Sequence, residues 1–214
     1  MTSILAFDTS QQYTAIALSQ QGVVIDHSCQ HMPSGHSDYL LPAIMDMLTK
    51  HHLTLKDIDR IVTIVGPGSF TGLRVCMAAA QGMGVALKKD IIGITSLQAF
   101  AYCIETSRKI LVVIDSQKQD IYCQFFSADQ QALSEPMAIH PDEFPHLPFD
   151  DFILTGTATQ KAHSLFLGTN KLYDVQEVSI DQMCQKLSLI ATQPQFIDYK
   201  PIRPIYLKEA LKQK

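Results

Sequence analysis

The chain is 214 residues long, 46% hydrophobic and only 18% charged, with 17 Lys and Arg against 21 Asp and Glu for a formal charge of −4. A core of that size excludes disorder and a disulfide-stapled mini-fold, and the slightly acidic balance lacks the basic excess that nucleic-acid surfaces usually carry. No run of 18 apolar residues occurs, and the first residues lack a basic segment ahead of an apolar one, so neither a membrane span nor a secretory leader is expected.

Residues 4–7 form an apolar run ending at Asp8, residues 13–18 are again apolar and small, and Gly22 punctuates before 23–25. Three strands joined by tight turns, an antiparallel meander, are the simplest outcome. Ser37 and Asp38 read as the cap of a helix running to about His52, because Leu40, Ile44 and Leu48, with Leu41 and Met45, recur at helical spacing. Residues 61–65 are a β-branched strand, turned by a glycine-rich stretch into a second helix to about Leu87. A strand at 91–95 and a helix at 96–104 follow. Three meander strands and then alternating helix and strand is the order of a ribonuclease-H-like α/β unit. From about residue 106 the pattern restarts more weakly: strands at 110–115, 121–126 and 133–139, a loop at 141–148, a strand at 152–154 and a helix at 181–192. Two lobes, 1–105 and 106–214, are expected, with the last segment packing back on the first.

Asp8-Thr9-Ser10 lies at a strand turn, where a carboxylate and hydroxyls serve either a phosphate with its Mg²⁺ or the turn's own backbone. Residues Gly66, Gly68, Ser69, Thr71 and Gly72, within Gly66-Pro-Gly-Ser-Phe-Thr-Gly-Leu-Arg74, open a helix with backbone N–H groups suited to an anion. The stretch has no Walker lysine. Its glycines serve equally for close approach or positive φ, and Gly68 is expected at positive φ, intolerant of valine. The cysteines Cys29, Cys76, Cys103, Cys123 and Cys184 are odd in number and never spaced C-x-x-C, which fits reduced thiols in a cytoplasm. His27, His31, His36, His51 and His52 form no metal motif, and His31 and His36 would lie about 140° apart on a helix. No G-x-S-x-G elbow is present. The basic end, with Lys200, Arg203, Lys208, Lys212 and Lys214, suits either RNA phosphate or solvent.

Ile4-Leu-Ala-Phe-Asp8-Thr-Ser, His36-Ser-Asp-Tyr-Leu-Leu-Pro42, the nonapeptide ending at Arg74 and Pro204-Ile-Tyr-Leu-Lys208 occur in order from end to end, and together they make the chain resemble the TsaB (YeaZ) family. The resemblance implies an ASKHA-type (actin/Hsp70-like) α/β fold of two ribonuclease-H-like lobes, the second degenerate. It also implies a non-catalytic subunit that binds and activates TsaD, the enzyme transferring threonylcarbamoyl to the adenosine beside the tRNA anticodon. TsaE supplies ATPase activity, so ATP and metal belong to the partners, no intrinsic cofactor is expected, and tRNA is met through the complex. A TsaD-like paralogue carries H-x-x-x-H on the first helix, whereas here His36 is followed four residues later by Leu40. The second half departs from the family pattern, with Asp115-Ser-Gln117 for Asp-Ala-Arg and only Gly156-Thr-Ala158 for the later glycine turn.

The helix pair carries its own expectation. Between Val75 and Leu87 only Gln81 is polar, and the apolar residues of the first helix spread over roughly 160°, wider than one core stripe. Leu40, Leu41, Ile44, Met45 and Leu48, with Leu73, Met77, Ala79, Ala80, Gly82, Met83 and Ala86, are therefore expected to form a face for a second subunit, a TsaD-like paralogue or a second copy of the chain. The alternative function is an ATP-dependent phosphotransferase, favoured by Asp8 and the glycine turn.

Overall fold

The structure is a computed structural model that describes residues 2–148, 150–191 and 202–207. The meander is present as β1 (Ser3–Asp8), β2 (Tyr13–Gln20) and β3 (Val23–His31). On the other edge of β1, β4 (Arg60–Gly66) pairs parallel and β5 (Asp90–Thr95) pairs parallel to β4, giving the order β3-β2-β1-β4-β5. Alternate residues of β1 serve opposite faces, as the period of a strand requires. Leu5 and Phe7 enter a cluster with α1 (His36–Lys50) and α2 (Phe70–Leu87), while Ile4 and Ala6 face α3 (Ser96–Ala101) and α5 (Ile180–Ile190). With both faces covered, every residue of β1 is buried.

The second sheet contains β6 (Lys109–Asp115), β7 (Ile121–Phe126), β8 (Met137–Ile139), β9 (Phe152–Thr155) and β10 (Tyr173–Val175), in the order β10-β9-β6-β7-β8. Each strand takes the place, and each pairing the sense, of its counterpart in the first sheet. The weak echo in the sequence is thus a full topological repeat, and the fold is the α/β ASKHA arrangement. The counterpart of α1 is reduced to a 3-10 stretch, Pro141–His146, and that of α2 to α4 (Thr159–Phe166). Small residues on β1 and β2, Ala6, Ala15 and Ala17, leave room for α5, which is fastened to the first sheet by Ser19 Oγ to Ser188 O (2.9 Å) and Arg60 to Ala191 O (2.8 Å).

Several elements differ from expectation for identifiable reasons. Helix α1 is capped by Gly35 at φ 85°, not by Ser37 or Asp38; Asp38 lies in the first turn, where its charge suits the helix dipole. The strand expected at 133–139 begins only at Met137, because Ser134 bonds the Gln124 side chain and the Phe125 N–H instead of extending the ladder. Helix α3 stops at Ala101, and residues 141–146 are helical rather than loop. Helix α4 and the edge strand β10 carry too few apolar residues to signal themselves; aromatic packing of Phe166 and Tyr173 on Phe152 holds them. Thr192, the expected end of α5, lies outside the described residues. Helix α2 is long and apolar enough by length and composition to cross a membrane, yet Leu73, Cys76, Met77, Ala80 and Met83 pack on the first sheet.

Candidate functional site

The β1–β2 turn and the glycine-rich turn are pressed together. Ser69 N donates to Ser10 O at 2.8 Å, Thr9 Oγ1 donates to Gly72 O at 2.6 Å, and Ser69 Oγ caps α2 by accepting from Gly72 N. A methyl group on Gly72 would stand 1.8 Å from Thr9 O, and one on Gly68 would stand 2.6 Å from Ser10 O. One expectation is corrected here. Gly68 is needed for close approach and not for positive φ, which belongs to Gly66 (113°). Asp8, Thr9, Ser10, Gly66 and Gly72 are buried, Gly68 and Ser69 are half-buried and Thr71 is exposed, so most of the eight residues singled out serve the packing of the two turns.

Asp8 Oδ1 accepts from Ser10 N at 2.6 Å, and burial pushes the carboxyl up to about 6 against the pull of that bond. From about pH 4 to 6 the folded chain therefore keeps a proton that the unfolded chain, with its ordinary value of 3.8, has released. The resulting stabilisation is full below about pH 4 and lost as pH rises through 6, amounting to about 3 kcal/mol. Asp8→Asn is expected to abolish it. In urea unfolding at pH 4.5 and pH 7, the stability gap between the two proteins should change by at least about 1 kcal/mol in favour of the variant at pH 7; a pH-independent gap would refute the assignment.

The second lobe repeats the turn. Gln117 N donates to Asp115 Oδ1 at 2.8 Å, and Gly156, at φ 112°, ends β9 as Gly66 ends β4. There the space is taken by Lys161, whose Nζ reaches Lys118 O and Gln119 O at 3.3 and 3.2 Å and stands 3.9 Å from Asp115 Oδ1. Between the lobes lies a cavity of about 300 Å³ lined by Gln11, Gln12, residues 33–37, Ser69, Thr71, Val75 and Gln117. Most of these were not signalled by any motif, because four separate segments meet only in the fold. His36, on its wall, bonds Thr14 Oγ1 through Nδ1 at 2.8 Å, and burial pushes its pKa down. Burial likewise pushes the Cys29 thiol to about 11 and those of Cys103 and Cys123 to about 12, so these are not thiolate nucleophiles. Among the described residues no group of three His, Cys, Asp or Glu is placed to hold a metal.

The expected helix face divides in two. Leu40, Ile44, Leu48, Leu73, Met77, Ala80 and Met83 are core residues of the first lobe, so as interface residues they are a correction. Residues one position round the helix remain open: Leu41 and Met45, each 46% exposed, on α1, and Gly82 and Ala86, with Ala79 half-buried, on α2. Val85, which the sequence reading did not select, is 81% exposed. Beside them the segment 202–207 crosses the first lobe, with Ile205 N donating to Val65 O at 2.7 Å and Tyr206 against Phe70. Lys200, Lys208, Lys212 and Lys214 lie outside the described residues.

The family model of TsaD, tRNA N6-adenosine threonylcarbamoyltransferase, matches residues 10–199. The chain belongs to this family. Within it the chain sits on the TsaB (YeaZ) branch. It is 30% identical over 149 residues to the tRNA threonylcarbamoyladenosine biosynthesis protein TsaB of Escherichia coli, covering 67% of this chain and 64% of that one. It is 26% identical to the protein of the same name from Haemophilus influenzae, covering 96% and 93%. YeaZ from Pseudomonas aeruginosa superposes with a TM-score of 0.79 at 22% identity, over 97% of this chain and all of that one. The chain thus spans just under two thirds of the E. coli relative's length.

Within the TsaD family, the position four residues after His36 is filled here by Leu40, 1% exposed and packed in the first-lobe core. The two departures of the second lobe also acquire a place: Gln117 borders the cavity, and Thr157 Oγ1 accepts from Asp115 N at 3.1 Å.

Proposed function

We propose that this chain acts in the biosynthesis of threonylcarbamoyladenosine in tRNA as a cytoplasmic, non-catalytic subunit that binds a TsaD-type relative and activates it. The observation that carries the reading is the pair of open helix faces. Leu41 and Met45 on α1 and Gly82, Val85 and Ala86 on α2 present an apolar surface on adjoining helices of the first lobe. Apolar surface of this kind marks a protein interface. The small residues on α2 let a second helix pair approach closely, so a bundle of two helices from each partner is the expected geometry. The partner is a paralogue of the same fold, whose corresponding helices would offer a similar face; a second copy of this chain is the occupant when the partner is absent. A TsaE-type ATPase and tRNA join through the complex.

The test is reconstitution. The TsaD-type relative from the same cell is assayed for threonylcarbamoyl transfer to tRNA with and without this chain, and the complex is followed by size exclusion. Stimulation that tracks complex formation supports the reading, and full activity without this chain overturns it. The pure chain is also incubated with ATP and Mg²⁺. Turnover abolished by Asp8→Ala would favour a phosphotransferase instead.

A further inference from the structure

Three planar side chains stand together on the surface beside α2. The Arg74 guanidinium lies 3.7 Å over the Phe70 ring, and Tyr206 packs against the same ring with 5.2 Å between centroids. Phe70 is 51% and Tyr206 47% exposed, and Arg74 is exposed as well, so the cluster is ordered but only half covered. The segment that carries Tyr206 is held in place. Ile205 N donates to Val65 O at 2.7 Å, and Gln81 Nε2 donates to Ile202 O at 3.4 Å. Ile202 sits where Gly93 has no side chain, since a methyl group there would stand 2.8 Å from it. The charge on this surface has one sign. Arg74 is the only charged residue from Phe70 to Leu87, and Arg203 the only one from 202 to 207; neither has an ion-pair partner among the described residues. In the sequence Lys200 and Lys208 flank that segment, Lys212 and Lys214 follow, and Glu209 is the only acid from 200 to 214.

We infer that this surface binds a single RNA strand, whose bases stack on Tyr206, Phe70 and the Arg74 guanidinium while its phosphates are drawn to Arg74, Arg203 and the basic end of the chain. Every base has a π-face that suits aromatic rings and guanidinium planes, and neighbouring cations track the backbone. A duplex keeps its bases inside the stack, so a loop or a free strand is the form this surface takes. The formal charge of the whole chain is −4, which keeps the affinity modest and the attraction local. A protein partner fits less well, because it would bury two arginines without a counter-charge. The strip is also distinct from the proposed subunit face. At 100° per residue, Arg74 and Gln81 lie within about 40° of Phe70, whereas Gly82, Ala86 and Ala79 lie about 120–180° round the helix. The inference deepens the proposed function by giving this chain its own contact with a tRNA loop, and it rests on that reading for the identity of the RNA alone.

The test uses the full chain and a fluorescent single-stranded oligoadenylate of about ten nucleotides, followed by anisotropy across a salt series. Saturable binding is expected, with weaker binding to a duplex of the same length. Tyr206 is half open, so Tyr206→Ala should fold with nearly the Tm of the parent chain, yet bind at least about fivefold more weakly. Tyr206→Phe, which keeps the ring, should bind as the parent does. Arg74→Gln should reduce the slope of log affinity against log salt by about 0.7, the share of one phosphate on a single strand. Size exclusion with the TsaD-type relative separates this surface from the subunit face, since both variants should pair normally. Binding that both variants weaken, without any stimulation of the relative by this chain, would support the RNA surface and overturn the proposed function alone. Absent binding, equal binding to the duplex, or binding that Tyr206→Ala and Arg74→Gln both retain in full overturns the inference. Pairing lost in both variants with RNA binding intact also overturns it and assigns the surface to a protein.

Discussion

Gly72→Ala is expected to destabilise the chain by roughly 3–5 kcal/mol, enough to cancel much of the stability of an ordinary domain. The added methyl would stand 1.8 Å from the Thr9 carbonyl oxygen, which belongs to a buried turn and has nowhere to move. Separating the two backbones would also break the Thr9 Oγ1 to Gly72 O bond and the Ser69 N to Ser10 O bond. Gly82, on the same helix, is the control, since a methyl there meets nothing within 4 Å. Gly82→Ala should raise stability by about 0.5–1 kcal/mol, the ordinary gain in helix propensity. Urea unfolding of the two variants decides the matter. A cost below about 1 kcal/mol for Gly72→Ala would mean that the turn is loose and that its glycines serve something other than packing.

Gly82→Arg should leave the fold intact and remove the partner. The site has open space in the free chain, so the arginine extends into solvent and Tm is expected to move by no more than about 3 °C. In a close helix bundle the same guanidinium would be buried without a counter-charge, which costs several kcal/mol. Binding to the TsaD-type relative should therefore weaken by at least about 100-fold, equivalent to about 2.7 kcal/mol. Met45→Glu makes the same demand from α1, where the native side chain is half open. Pull-down and calorimetry on soluble variants read the loss directly. If both variants fold and pair normally, the α1–α2 face is not the interface.

The contrast between these two glycines shows where sequence reading stops. The strand runs at 4–7, 61–65, 110–115 and 121–126, and the helices opening at Ser96 and near Asp181, follow from local apolar patterning, which depends on neighbours within a few residues. The order of elements gave the lobe type, and the end-to-end motifs gave the family. Helical periodicity likewise gave the width of the apolar arc on α1, about 160°. It could not give the arc's orientation. Only docking on the sheet turns Leu40, Ile44 and Leu48 inward and leaves Leu41 and Met45 open, because a helix pattern has no azimuth until a second surface is present. The glycine-rich turn fitted both an anion cradle and a packing contact; the close approach of Gly68 and Gly72 to the backbone of Thr9 and Ser10, some sixty residues earlier in the chain, is visible only in the fold. Helix α4 and strand β10 were silent because Phe152, Phe166 and Tyr173 stabilise them by tertiary contact and not by propensity. The cavity is the extreme case. Gln11, residues 33–37, Thr71 and Gln117 carry no shared motif, and they become one site only when two helix starts and two lobes converge in space.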